Sequence, residues 1–168
     1  MLDRLPKFID PLLMTERGRG LVGEMQLSEF PRLAELLADN RGVAVFELSF
    51  FKQGRQNVLQ GKISTVLKLR CQNCLQVLDW PVDCEFRLGI VASLDEARRL
   101  PGDLEPLLVG QEKTVLRDII EEELLLSVPL FPKHAKPCFD YRQYSDTPAE
   151  SGQSKTDNPF AVLAKLKK

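Results

Sequence analysis

Between residues 43 and 51 the chain places Ala44, Phe46, Leu48 and Phe50 at every second position. After the turn-rich Gly54-Arg55-Gln56-Asn57 the alternation resumes. Over 58–70, Leu59, Ile63, Leu67 and Leu69 fall on one side, and Gln60, Lys62, Ser64, Lys68 and Arg70 on the other. Successive side chains of a strand point to opposite faces, so a period of two predicts a half-buried antiparallel hairpin. A third run continues it, with Leu78, Trp80, Val82, Cys84, Phe86, Leu88 and Ile90 inward and Asp79, Asp83, Glu85 and Arg87 outward. Pro81 cannot donate to a ladder, which predicts a sheet edge or a bulge at that point.

Helical spacing is shorter-lived. Over 1–18, Pro6 and Pro11 block a long helix, and 21–27 suits a short strand. Ser28 reads as an N-cap, with Pro31 tolerated in the first turn, Leu33, Leu36 and Leu37 forming one apolar face, and Asn40 and Gly42 as the stop. Residues 93–105 read as a loop or short helix, and 104–109 as a further strand. The broadest stripe is Leu116, Ile119, Ile120 and Leu124 within Thr114–Ser127, a helix that Pro129 ends. Residues 145–157 are polar and turn-rich, hence a flexible linker. Beyond it Asn158 caps and Pro159 opens a short helix whose Phe160, Leu163 and Leu166 share a face. About ten residues are too few for a helix to be stable alone, so this one is expected to be ordered only when docked.

Composition narrows the class. The chain has 168 residues and a formal net charge of −1, which excludes a general polyanion binder, and 43% of its residues are apolar, which excludes a largely disordered chain. No window has the roughly 18 apolar residues that a membrane span needs, and the start lacks a secretory pattern. We therefore expect a cytoplasmic protein whose four cysteines are reduced or metal-bound. The charge is uneven: residues 1–70 carry a net +3, 71–150 a net −7 and the last 18 a net +3. One local face can therefore meet a polyanion while the rest repels it.

Cys71-Gln72-Asn73-Cys74 lies between two strand patterns, where a metal knuckle belongs, and not at the start of a helix, where a redox CxxC belongs. His134 and Cys138 offer a second half-site, and the four together would make a Cys3His set suited to structural zinc. Reduced, unliganded cysteines account for the same residues equally well. Cys84 sits on the apolar phase of its strand and reads as core. Gly18-Arg19-Gly20-Leu21-Val22-Gly23 has the letters of a dinucleotide fingerprint but neither a buried strand before it nor a helix at once behind it, so it reads as a turn. Asp118, Glu121, Glu122 and Glu123 read as the solvated face of the 114–127 helix. With His134, the chain's single histidine, they frame a competing reading, a metal-dependent RNA hydrolase. For nucleic acid, the candidate face is Lys52, Arg55, Lys62, Lys68 and Arg70 on the hairpin, with Lys165 and Lys167 at the C-terminal tip. Few aromatics accompany those cations, which favours structured RNA or a ribosomal surface over single-strand stacking.

Three segments occur together here: the CxxC between strands, the passage from Asp118 through Pro129-Leu130-Phe131-Pro132-Lys133-His134, and the ending Asn158-Pro159-Phe160-Ala161-Val162-Leu163-Ala164-Lys165-Leu166-Lys167-Lys168. In this order they resemble the YceD family, the large ribosomal RNA subunit accumulation proteins of bacteria and plastids. The likeness extends to Asp10-Pro11 and Cys84; many members have Gly after the CxxC, where Leu75 stands here. The resemblance implies a non-enzymatic factor, without catalytic residues, that supports synthesis, processing or stability of large-subunit (23S) ribosomal RNA. Its partner would be that RNA or a ribosomal protein, not DNA or a membrane.

The expected architecture is an α+β fold, a mainly antiparallel sheet with curvature that could approach a barrel, packed with two or three helices. Its bounds are a domain over 1–144, the linker 145–157 and the motif 158–168. Asn158, Pro159, Phe160, Leu163 and Leu166 are the expected docking residues, in a partner's groove or on the parent domain.

Overall fold

The computed structural model describes residues 5–110 and 113–139. In chain order the elements are β1 (Phe8–Ile9), α1 (Pro11–Glu16), β2 (Gly20–Gln26), a 3-10 turn (Leu27–Glu29), α2 (Pro31–Ala34), β3 (Val43–Gln53), β4 (Gln56–Arg70), β5 (Val77–Val91), α3 (Leu94–Ala97), β6 (Glu105–Leu108), β7 (Thr114–Val115) and α4 (Leu116–Ser127). Contacts divide the chain into two compact units, Met1–Lys136 and Pro137–Lys168. The second is described only over Pro137–Phe139, so the expected linker and the docking motif lie outside the described residues.

The three alternating runs form the centre of a five-stranded sheet of order β2-β3-β4-β5-β6, antiparallel throughout except for the β5–β6 pair. The sheet is open, with β2 and β6 as its two outer strands, and does not close into a barrel. A separate two-stranded ribbon pairs β1 with β7. The hairpin between β3 and β4 turns through Gly54-Arg55, where Gly54 takes φ +61, as the primed two-residue turns require. Pro81 faces Val66 of β4 on one side, and β6 covers β5 only from Leu88 to Val91. The proline thus occupies the uncovered edge half of β5, where its missing amide proton costs nothing.

The inward phases of the strands are buried: Ala44, Phe46, Leu48 and Phe50 on β3, Leu59, Ile63, Leu67 and Leu69 on β4, and Leu78, Val82, Phe86, Leu88 and Ile90 on β5. Leu27, Phe30 and Leu33 close one end of this core, and α4 adds Leu116, Ile119, Ile120 and Leu124. Helix α4 packs on β5 and on α2, while α1 packs on β3 and β4. Gly61 lies opposite Phe86, and a Cβ there would run into the phenyl ring, so the glycine makes room for the aromatic core residue.

Three expectations are corrected. The helix expected from Ser28 to Leu37 is only the four-residue α2, with Phe30 at its N-cap and Leu36 52% exposed. Buried Leu33 and the α4 carboxylates, Glu121 on the Arg32 and Leu33 N–H groups and Glu122 on the Arg32 guanidinium, hold that turn. The helix over Thr114–Ser127 begins at Leu116, because Thr114-Val115 is spent pairing with β1. The four acidic residues of α4 do not form a uniformly solvated face: Glu121 is 2% exposed. The GxGxxG-like letters form a turn at Gly18 (φ +56) running into β2, with no helix directly behind.

Candidate functional site: a cysteine knuckle at the end of the sheet

The long strands β4 and β5 are joined by Cys71–Gln76, and this connection is a knuckle built by its own backbone. The Cys71 N–H donates to the Gln76 carbonyl at 2.9 Å, and the Leu75 N–H donates back to the Cys71 carbonyl at 2.9 Å. The Asn73 N–H points at the Cys71 sulfur, 3.4 Å away. Leu75 takes φ +62, a left-handed conformation that costs a residue with a Cβ about 1–2 kcal/mol. The turn therefore keeps the shape a glycine would give it, although leucine occupies the position. Backbone strain of this kind is retained where surrounding structure over-determines it.

The segment after α4 is held against the knuckle. The Gln72 N–H donates to the Pro132 carbonyl at 2.9 Å, and the Gln72 side-chain amide donates to the Leu130 carbonyl at 3.2 Å. These bonds deliver His134, whose Nδ1 lies 3.4 Å from the Cys74 sulfur. The sulfurs of Cys71 and Cys74 and a ring nitrogen of His134 all lie within 4.8 Å of one another. Zinc–sulfur bonds of about 2.3 Å and zinc–nitrogen bonds of about 2.0 Å set two ligands of a tetrahedron roughly 3.5 Å apart. The Cys74–His134 pair already has that spacing, and the thiolate and imidazole donors are those zinc prefers. The residues present fit a structural zinc ion. Sixty residues separate Cys74 from His134, and Gln72 is the side chain that closes the gap; the sequence offered no signal for it. Cys138 follows His134 by four residues and is the second of the three described residues of the second unit, Pro137–Phe139. Cys84 lies opposite Ile63 on the inward phase of β5 but is only half-buried, less enclosed than a core residue.

The hairpin cations are distributed differently from a continuous basic row. Lys62 sits across from Glu85 at 3.3 Å and Asp83 at 3.4 Å, and Lys68 meets Asp79 at 2.8 Å. Hydrogen bonds first to Glu85 and then to Asp83 raise the Lys62 pKa, and Ser64 and Lys62 lower that of Asp83. Lys52 and Arg55 are exposed at the β3–β4 turn, while Arg70 is exposed at the far end of β4, beside Cys71. At about 3.3 Å per residue, some 45 Å of strand separates the two ends. Lys165 and Lys167 lie outside the described residues.

The acidic helix is likewise engaged. Glu121 accepts the backbone N–H groups of Arg32 at 2.7 Å and Leu33 at 3.1 Å, and Glu122 pairs with the Arg32 guanidinium at 2.6 Å. Burial, with Glu105 and Glu122 adding to it, pushes the Glu123 carboxyl up to about 7. His134 is turned to Cys74, and the bonds above turn Glu121 and Glu122 to α2.

Comparison with known proteins agrees with this anatomy. A family model described as large ribosomal RNA subunit accumulation protein YceD matches residues 59–167, a span that contains the knuckle, α4 and His134. The chain belongs to the YceD family. A relative from Haemophilus influenzae named large ribosomal RNA subunit accumulation protein YceD is 32% identical over 170 residues, covering 98% of this chain and 97% of its own. No solved structure matches. The knuckle is thus part of the segment by which this chain is recognised as a YceD protein.

Proposed function

We propose that this protein is a non-enzymatic, cytoplasmic factor that supports the synthesis, processing or accumulation of large-subunit (23S) ribosomal RNA by binding that RNA, a ribosomal protein, or both. The observation that carries the reading is the match of the YceD family model over residues 59–167. The engagement of the acidic helix supports a binding role over an RNA hydrolase, because two of the carboxylates a hydrolase would need hold α2 in place. No helix among the described residues is long and apolar enough to cross a membrane.

We propose further that Cys71, Cys74, His134 and Cys138 hold one structural zinc ion. When bound, the ion supplies a cross-link between the β4–β5 connection and the segment after α4, a contribution on the order of 10 kcal/mol in comparable sites. The candidate contacts to RNA are Lys52, Arg55, Lys62, Lys68 and Arg70 with Lys165 and Lys167. The ion pairs of Lys62 and Lys68 leave Lys52, Arg55 and Arg70 as the more available cations of the hairpin. Phe160, Leu163 and Leu166, behind Asn158 and Pro159, are the candidate anchors of a docking helix.

Purified full-length protein mixed with deproteinised 23S ribosomal RNA tests the RNA arm. Phosphate contacts make the affinity fall steeply as salt rises. Binding that is absent at low salt, beside tight binding to a large-subunit protein, assigns the role to the protein partner. RNA cleavage by clean protein, lost in Glu122→Ala with folding intact, overturns the non-enzymatic reading.

A further inference from the structure

We infer that the knuckle end of the sheet is a docking surface for unpaired, single-stranded RNA, with the Phe131 ring as its stacking platform. The inference rests on the RNA-binding reading above and assigns it a place. Phe131 is 69% exposed and Leu130 86% exposed, although their backbone is pinned to Gln72. Leu75 and Val77, the residues flanking Gln76 at the exit of the knuckle, are also more than half exposed. Four large apolar side chains are thus presented by hydrogen-bonded backbone at the knuckle end of the sheet.

The charge on the two stretches that carry them is of one sign, the Asp39 and Asp79 carboxylates at this end of β4 being engaged by Arg41 and Lys68. Arg70, Lys133 and Lys136 are exposed and form no ion pair among the described residues. No Asp or Glu occurs between residues 70 and 78 or between 124 and 139. The nearest carboxylate along β5, Asp79, is already engaged by Lys68 at 2.8 Å. This contrasts with the middle of the sheet, where Lys62 and Lys68 both face carboxylates.

Exposed ring faces with unopposed cations are what unpaired nucleotides require. Bases stack on an aromatic side chain and phosphates meet Lys or Arg, whereas a duplex hides its base faces.

The test uses full-length protein and two fluorescein-labelled probes, a 20-nucleotide single-stranded RNA and the corresponding RNA duplex, read by anisotropy. The single strand is expected to bind more tightly than the duplex. Phe131→Ala is expected to weaken it about five- to a hundred-fold, the range for losing one stacked base. Lys133→Ala with Lys136→Ala is expected to weaken it and flatten its salt dependence, while Arg98→Ala with Arg99→Ala, exposed cations just after α3, leaves it within about two-fold. Equal binding of duplex and single strand, or Phe131→Ala and the double lysine variant both binding as wild type does, overturns the placement while RNA binding itself stands. Failure of the wild type to bind either probe or 23S ribosomal RNA overturns the RNA reading and the placement with it.

Discussion

The carboxylate of Glu121 is buried between two helices and accepts two backbone N–H groups at the first turn of α2. Those amides have no partner within so short a helix, and burial denies them water. Glu121→Leu leaves both unpaired and is expected to cost about 2–3 kcal/mol, read as a lower midpoint in urea with an unchanged slope. Glu123 acts in the opposite sense. Its folded-state pKa of about 7 lies above the ordinary 4.5, so the native state holds a proton that the unfolded chain has released. Stability therefore falls as pH rises from about 4.5 through 7. The side chain is half-buried, and solvent screening reduces the effect to about 1 kcal/mol. Glu123→Gln is expected to match the wild type near pH 4 and to exceed it by about that amount at pH 8, measured by urea unfolding at both. The first of these roles was not legible in the sequence, since Glu121 lies at the edge of the apolar stripe and its partners are 88 and 89 residues away. Nor was the second: Glu123 reads with its acidic neighbours as part of a solvated face, whereas it lies three and four residues after Ile120 and Ile119 and is half-buried beside them.

At the scale of elements, β4 and β5 dominate. Each has 15 residues in unbroken register, and their inward phases were legible because the period of two persists through both. The Gly61–Phe86 pair interrupts that pattern without breaking it, the phenyl ring covering the space above the glycine. Gly61→Val forces the ring out of the core and is expected to destabilise by about 3 kcal/mol, at the upper end for overpacking, visible as a thermal midpoint lowered by several degrees. Short elements were read less well. Leu33, Leu36 and Leu37 have helical spacing, yet only Leu33 finds a core to enter, and α2 stops after one turn. The parallel pairing of β6 with β5 was invisible because four residues carry no signal of direction. Of the candidate site, the sequence supplied the ligand types and spacings; Gln72, which ties the two half-sites together, is an exposed polar residue with no motif to mark it.

For the molecule as a whole, charge asymmetry along the chain becomes asymmetry in space. The acidic residues of 71–150 are partly spent on β5, where they neutralise the lysines of β4, and partly on α4, where they hold α2. What remains is the knuckle end, whose stretches 70–78 and 124–139 carry no Asp or Glu. If zinc secures that end, protein purified without chelator is expected to contain about one zinc per chain by metal analysis. Removal by a chelator, or Cys74→Ser, is then expected to lower the thermal midpoint markedly and cooperatively. A metal-free protein with an unchanged midpoint would assign the cysteines to the reduced state instead.

The central claim is that the protein acts by holding a component of the large ribosomal subunit. It is tested most directly by crosslinking in growing cells, followed by sequencing of the attached RNA and mass spectrometry of the attached protein. The account predicts 23S ribosomal RNA fragments, large-subunit ribosomal proteins, or both, enriched over an uncrosslinked control. Recovery of neither from cells actively assembling ribosomes would contradict it.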